Sequence, residues 1–373
     1  MSERRRLALL LVALIASAPA AAEPAVTILD LPFRAKAMRG PGSEVAVAVA
    51  TSGLLPIARP KSADPALPAA DEAGAPLVVV WGEEGGAALS LADGSIRTTL
   101  LGAEAIEGLA VAETPRGALP NSRRAQSGPL SAYLTGPTRA MGGALGSDAA
   151  GNAAGLTIRE RQPVAVSADP KPVPVATATV AAGDEAVFAP RRPRVARLDG
   201  RPAFLAVTAL GGARSALAVV GRTGEGAPWS VIARSPPQEG GPLKVAAVAD
   251  FAGTGRPQIA AVRAPEGAGV LQLWTYAQGT LALAAEAPGY TDGIDNADLA
   301  AILEPDRDGD RDLALPTLDR GALALVSLKG TIRERARIAL PAPAAHGVAA
   351  LGSGAGTHLL VGLADGRVAL VRP

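Results

Sequence analysis

The chain contains no cysteine. That excludes disulfides, thiol nucleophiles, thiolate metal centres and a lipidated N-terminal cysteine. Histidine is scarce too, with only His346 and His358 among 373 residues. No Ser-His-Asp, His-Glu-x-x-His or two-His metal motif can be drawn from them, and His358, at the start of an apolar run, reads as structural. Aromatic residues make up 3%, so Ala, Val and Leu must build the core. Trp81, Trp229 and Trp274 fall in separate apolar runs and read as core rather than as a stacking platform for sugars. An excess of either charge is also missing, with 36 Lys+Arg against 35 Asp+Glu. Nothing in that balance steers the chain to nucleic acid. Gly211-Gly212 and Gly240-Gly241 lie outside any strand-GxGxxG-helix context, so no nucleotide site is argued.

What is plentiful is turn-forming residues, 43 Gly and 32 Pro, set among 48% hydrophobic residues. Short apolar runs broken by many turns point to an all-β fold. The first residues depart from this. Arg4-Arg5-Arg6 is a positive n-region, Leu7 to Ala16 an apolar stretch too short to span a bilayer, and Ala20-Ala21-Ala22 a small-residue cleavage site. The expectation is a signal peptide over residues 1–22 and export to the periplasm or beyond. No transmembrane span is expected in the mature chain, which is read as one domain over 23–373.

From about residue 192 onward the pattern is regular. Short strands are expected at Arg194–Leu198, Phe204–Val207, Ala216–Val220 and Trp229–Ala233. Further sets open at Lys244 and at Leu299, each with four strands in about 50 residues. The last set has three, near Val348–Leu351, His358–Leu363 and Arg367–Val371. Its missing fourth strand is expected to be Val26–Leu31 from the other end of the chain, which would pair two otherwise open edges. Asp93-Gly94 and Asp365-Gly366, each between apolar runs, signal two-residue hairpin turns. Glu44–Ala50, alternating Val and Ala, reads as a strand buried on both faces. Residues 60–75 and 114–129 lack periodicity and read as loop insertions outside the sheets. The architecture expected is a β-propeller of four-stranded blades. The 351 residues from Glu23 (373 less 22) divide into seven blades of about 50 residues. Six blades follow instead if 33–191 holds two rather than three.

One stretch carries chemistry. In Glu304-Pro305-Asp306-Arg307-Asp308-Gly309-Asp310-Arg311-Asp312, carboxylates stand at loop positions 1, 3, 5 and 9 and a glycine at position 6. Such a loop wraps oxygen ligands around a hard cation such as Ca²⁺, with the Asp310 carbonyl at position 7 as a further ligand. The competing reading is a solvated Asp/Gly turn. The same frame recurs at Asp250-Phe251-Ala252-Gly253-Thr254-Gly255, but too few carboxylates remain there for a metal to be expected. A second acidic group, Asp292, Asp295 and Asp298 at i, i+3 and i+6, fits neither a strand face nor that loop and reads as a polar loop.

These two frames, each followed by an apolar strand, resemble the FG-GAP/VCBS repeat of bacterial exported proteins and integrin α-subunit propellers. The resemblance covers about 192–342. It implies a propeller with Ca²⁺ in some blade loops and ligand binding more often than catalysis. The cation ligands it implies are Glu304, Asp306, Asp308, the Asp310 carbonyl and Asp312, with Glu in place of the usual Asp at position 1. Two functions follow. One is a non-catalytic, monomeric binding or scaffold propeller that holds a protein or glycan ligand. The other is a propeller enzyme, such as a Ca²⁺-dependent phosphoesterase or quinone-dependent dehydrogenase. Charged residues from several blades converging on a channel would favour the enzyme.

Overall fold

The computed structural model describes residues 25–55, 76–141, 151–163, 172–241, 243–265, 267–293, 297–304 and 310–373. The expected signal peptide and the 60–75 insertion lie outside them. Strand β1 (Ala25–Ile28) comes first in the chain. The rest builds all-β structure with several four-stranded antiparallel sheets, consistent with propeller blades. The first unit is β2 (Ala37–Arg39), β3 (Leu77–Gly82), β4 (Gly85–Ala92) and β5 (Ser95–Leu101). The second is β6 (Ala125–Ser127), β7 (Leu130–Thr138), β8 (Asn152–Arg161) and β9 (Val175–Ala181). After β10 (Ala186–Phe188), the third is β11 (Arg194–Leu198), β12 (Arg201–Leu210), β13 (Arg214–Gly221) and β14 (Ser230–Arg234). Because β10 pairs with both β8 and β12, the second and third units form one continuous sheet.

The fourth unit is β15 (Lys244–Ala249), β16 (Gln258–Arg263), β17 (Val270–Ala277) and β18 (Thr280–Pro288). The fifth is β19 (Ala301–Leu303), β20 (Asp312–Pro316), β21 (Ala322–Ser327) and β22 (Arg333–Ala339). The sixth is β23 (Ala344–Leu351), β24 (His358–Leu363) and β25 (Val368–Arg372), completed by β1, which pairs antiparallel with β25 from Ala25↔Arg372 to Ile28↔Ala369. The N-terminal strand therefore covers the C-terminal edge. Six four-stranded units stand among the described residues, so the count of seven is corrected. Among the described residues, 33–191 hold two such units rather than three.

The hydrophobic core is divided between neighbouring units. Leu134, Leu156 and Ile158 of the second meet Phe204 and Val220 of the third. Leu205 and Val219 pack with Ile259 and Trp274, Leu271 and Leu273 with Leu313 and Val326, and Leu323 and Ile338 with Leu359 and Val361. Val78, Val80 and Leu89 join Leu360 and Leu370 of the sixth unit. Alternation along each strand sends one residue to one neighbour and the next to the other.

Two expectations fail here. Glu44–Thr51 is a helix, α1, not a strand. Ser43 caps it by accepting from the Ala46 amide at 3.2 Å, and alanine supports the helical backbone. Val45, Ala46 and Val49 are buried while Val47 is 52% exposed. Residues 114–129 are not an outlying loop either. Leu119, Ser122 and Arg123 are buried, and Ala125–Ser127 is the first strand of the second unit. A further helix, α2 (Ala103–Ala110), packs its Ile106 with α1 on Val79, Trp81 and Ala88.

The turns follow their chemistry. Ala92 faces Ser95 across a two-residue hairpin, and both Asp93 (φ 50°) and Gly94 (φ 71°) have positive φ. At the other expected hairpin only Gly366 is positive (φ 81°), and Leu363 donates to the Arg367 carbonyl, so that turn is longer than two residues.

Candidate ligand cavity and its charged end

The segments around the first strands of five units line one cavity of about 570 Å³. Its walls are Gly40–Ser43 after β2, Ala246–Val248 of β15, Ala300–Ile302 at β19 and Val348–Gly352 at β23, with Arg192, Arg194 and Asp298 on the lining. Small residues and backbone make the walls, so the space is left open by Ala and Gly rather than filled. Glu304 also lines it.

Asp298 is the focus of the charged end. Its Oδ2 accepts from Arg123 Nη2 at 2.7 Å and Arg192 Nη1 at 2.9 Å, and its Oδ1 from Arg194 Nη2 at 2.6 Å. Burial alone would push this carboxyl up. Arg123 first, then Arg194 and Arg192, hold it well below the usual carboxylate range. Arg123 is placed by a loop that closes on itself: Ser122 Oγ donates to the Leu119 carbonyl at 2.7 Å, and the Arg124 amide to the Glu113 carbonyl at 2.7 Å. Arg192 and Arg194 flank Pro193 at the entry to β11, with Arg194 Nε also donating to the Val245 carbonyl at 3.3 Å. Burial lowers the Arg192 guanidinium to about 9, with Arg123 and Arg194 adding to the shift and Asp298 opposing it.

The network continues away from the cavity. Arg123 Nη1 lies 3.6 Å from Glu113 Oε1, and Arg39 Nε donates to Glu113 Oε2 at 2.9 Å while its guanidinium sits 5.2 Å above the Trp81 ring. On the other side, Lys244 donates to the Ala297 carbonyl at 2.7 Å and lies 3.6 Å from Asp292 Oδ2. Asp292 is fully buried, which raises its pKa against the pull of Lys244. Charged groups from five of the six units or their links thus converge. Asp292 and Asp298 are central to this convergence and not a polar surface loop; Asp295 lies outside the described residues. Sequence reasoning missed Arg123, Arg192, Arg194 and Lys244. The available signal was Arg191-Arg192-Pro193-Arg194, a cationic run set directly against a buried strand, with Lys244 opening another.

Asp298 is kept ionised by three guanidiniums, which makes it a weak proton acceptor. Asp292 does not line the cavity. No serine, threonine or histidine among the described lining residues is paired with a base in the manner of an activated nucleophile.

Of the expected metal loop, Glu304 lines the cavity. Asp306 and Asp308 lie outside the described residues. Each described carboxylate is ion-paired: Glu304 with Arg311 at 3.2 Å, Asp310 with Lys329 at 2.8 Å, Asp312 with Arg335 at 3.3 Å. No group of three potential metal ligands forms among the described residues. In the related loop of the fourth unit, Asp250 accepts from the Thr254 amide at 2.9 Å and the Gly255 amide at 2.5 Å. Its burial is slight and works upward, but these amides bring its pKa down. The three tryptophans are all buried, as expected. His358 is buried too, with Nδ1 at 2.9 Å from the Gly356 carbonyl.

No protein-family model matches the chain, and no curated protein matches its sequence. The FG-GAP/VCBS frame therefore has no family-level support beyond its own residues. Among solved structures, the fold is similar to Trypanosoma rangeli sialidase in complex with the inhibitor DANA. The identity is 13% and the TM-score 0.41, over 80% of this chain and 52% of that one. The chain thus spans about half the length of the sialidase it matches.

Proposed function

We propose that the protein is an exported, non-catalytic binding propeller that holds part of a protein or glycan ligand in the cavity at the inner ends of its sheets. The observation that carries this reading is the charged end of the cavity, where Asp298 is shared by three arginines and none of the lining groups is set up for proton transfer. The convergence of charge from several units is the one feature that favours an enzyme. Because its carboxylates are consumed by cations, it supports recognition of a polar ligand more than chemistry on it. The test is affinity capture from the cell envelope with the tagged mature protein beside Ala350→Trp, which fills the cavity from its half-buried wall. The expected outcome is one set of partners, named by mass spectrometry, retained by the parent and lost from the variant. Partners held equally by both would place binding elsewhere, and turnover of a captured ligand would establish the enzyme.

The second part of the reading is one structural Ca²⁺ bound by Glu304, Asp306, Asp308, the Asp310 carbonyl and Asp312. The ion must displace Arg311 from Glu304 and Arg335 from Asp312, part-exposed pairs that are each worth little; Lys329 holds the Asp310 side chain and leaves its carbonyl free to ligate. Extracellular Ca²⁺ modules bind at roughly 10⁻⁴–10⁻³ M. At tenfold excess over such a Kd the ion adds about 1.4 kcal/mol of stability. Calorimetric titration of the parent and of Asp306→Ala checks it. A parent with neither heat of binding nor a Ca²⁺-dependent melting midpoint has only an acidic turn there.

A further inference from the structure

The second unit has one apolar face and one polar face. Ala125, Leu130, Ala132, Leu134, Leu156 and Ile158 point to the third unit. The alternate residues point the other way, so Gln126, Ser131 and Arg159 form one row across β6, β7 and β8 through the pairs Gln126↔Ser131 and Ser131↔Arg159. Arg161 lies two residues further along β8, about 7 Å from Arg159 on the same face. Arg124, two residues before Gln126, adds a third guanidinium. These side chains line a cleft of about 70 Å³, room for about two waters or one tetrahedral anion.

The charge in the cleft is unbalanced. Arg124 Nε donates to Glu44 Oε2 of α1 at 2.6 Å. Neither Arg159 nor Arg161 has a carboxylate partner among the described residues. Glu160, between them, is on the opposite face and pairs with Arg222 at 2.8 Å. Three guanidiniums therefore face one carboxylate. Burial lowers the Arg124 pKa, and repulsion from Arg161 and Arg159 lowers it further, as expected of cations gathered without enough counter-charge.

We propose that this cleft is a binding site for a tetrahedral oxoanion, sulfate or phosphate, held between the guanidinium forks of Arg159 and Arg161, with Arg124, Gln126 and Ser131 at its rim. Planar guanidinium donors match such oxygens with paired hydrogen bonds, which a lysine could not do. The site is separate from the central cavity and does not depend on what binds there. The anion is either a free ion or an ester on a sugar.

The test is calorimetric titration of the mature protein with inorganic sulfate, inorganic phosphate and glucose 6-sulfate, in chloride at constant ionic strength. One-to-one binding is expected, weakened at least tenfold in Arg159→Gln/Arg161→Gln and unchanged in Ala350→Trp. Both substituted residues are exposed, so folding is not at stake, and a circular dichroism spectrum like the parent's checks that. Binding of inorganic ions alone assigns the free ion; tighter binding of the ester assigns the sugar. If none of the three probes binds, or if the double variant binds as the parent does, the proposal is overturned.

Discussion

Five of the six contacts between neighbouring units are apolar, and one is not. Between the third and fourth units, Leu205, Val219, Ile259 and Trp274 form a single buried cluster. Between the first and second, no described hydrophobic cluster contains residues of both sheets. Helices α1 and α2 cover the first unit instead, and ion pairs make the connection: Arg124 with Glu44, and Arg39 and Arg123 with Glu113. The difference teaches that a ring of sheets can be held by two kinds of contact. The apolar junctions rest mainly on burial, which any well-fitted Ala, Val or Leu supplies, with polar links such as Glu160–Arg222 added at their margins. The polar junction needs particular partners, and its charges lead through Arg123 to Asp298 at the cavity. It is also the junction that leaves a polar sheet face, the one carrying Arg159 and Arg161.

The largest effect should come from an apolar junction. Trp274 is fully buried, so Trp274→Ala should cost about 3–5 kcal/mol. At the polar junction, Glu113→Gln removes the carboxylate that serves Arg39 and Arg123, and should cost about 1.5–3 kcal/mol. Combining each with Arg39→Gln separates the two kinds of contact. Denaturant unfolding should show Trp274→Ala and Arg39→Gln adding within about 0.5 kcal/mol, because they share no partner. Glu113→Gln and Arg39→Gln should fall short of additivity by about 1 kcal/mol or more, since either change alone breaks the same pair. Additivity in both cycles would mean that the ion pairs do not hold the junction.

The same contrast explains what was legible in the sequence. Apolar periodicity and turn chemistry are local, so strands such as Phe204–Val207 and Ala216–Val220 and the Asp93-Gly94 hairpin could be read directly. The closing role of the N-terminal strand followed from counting the strands near Val371. The central charges could not be found that way. Arg123 and Asp298 are 175 positions apart, and nothing in the surroundings of either marks the other. Asp292 and Asp298 looked like a polar loop because their partners came from distant segments. The α1 stretch was misread for a different reason: alternating Val and Ala suits a strand, but here Ser43 starts a helix whose buried positions are Val45, Ala46 and Val49. Of the expected metal loop, the described part shows carboxylates paired with cations, which the spacing of acids alone did not suggest.

The smallest effect expected is a change with pH, and it tests whether the charged end stabilises the fold. Asp298 has a folded pKa held below its ordinary value, chiefly by Arg123 acting against burial. A carboxyl lowered in this way contributes stability that is fully present above the unfolded value, about 3.9, and that is lost as pH falls through the folded value. Asp292 works in the opposite sense. Its pKa is raised by burial, so its ionisation costs stability as pH rises above the unfolded value, and this partly masks Asp298 in the parent. The comparison that removes the mask is parent against Asp298→Asn, since both keep Asp292. At pH 7 the variant leaves three guanidiniums without their carboxylate and should be clearly less stable. As pH falls below about 4 the unfolded chain takes up a proton at Asp298 while the folded parent keeps it ionised, so the parent loses stability that the variant never had and the gap between their melting midpoints should narrow. A gap that stays constant over that range would mean that the arginines do not hold Asp298 in its ionised form. The ionic centre would then contribute shape to the cavity without contributing to stability.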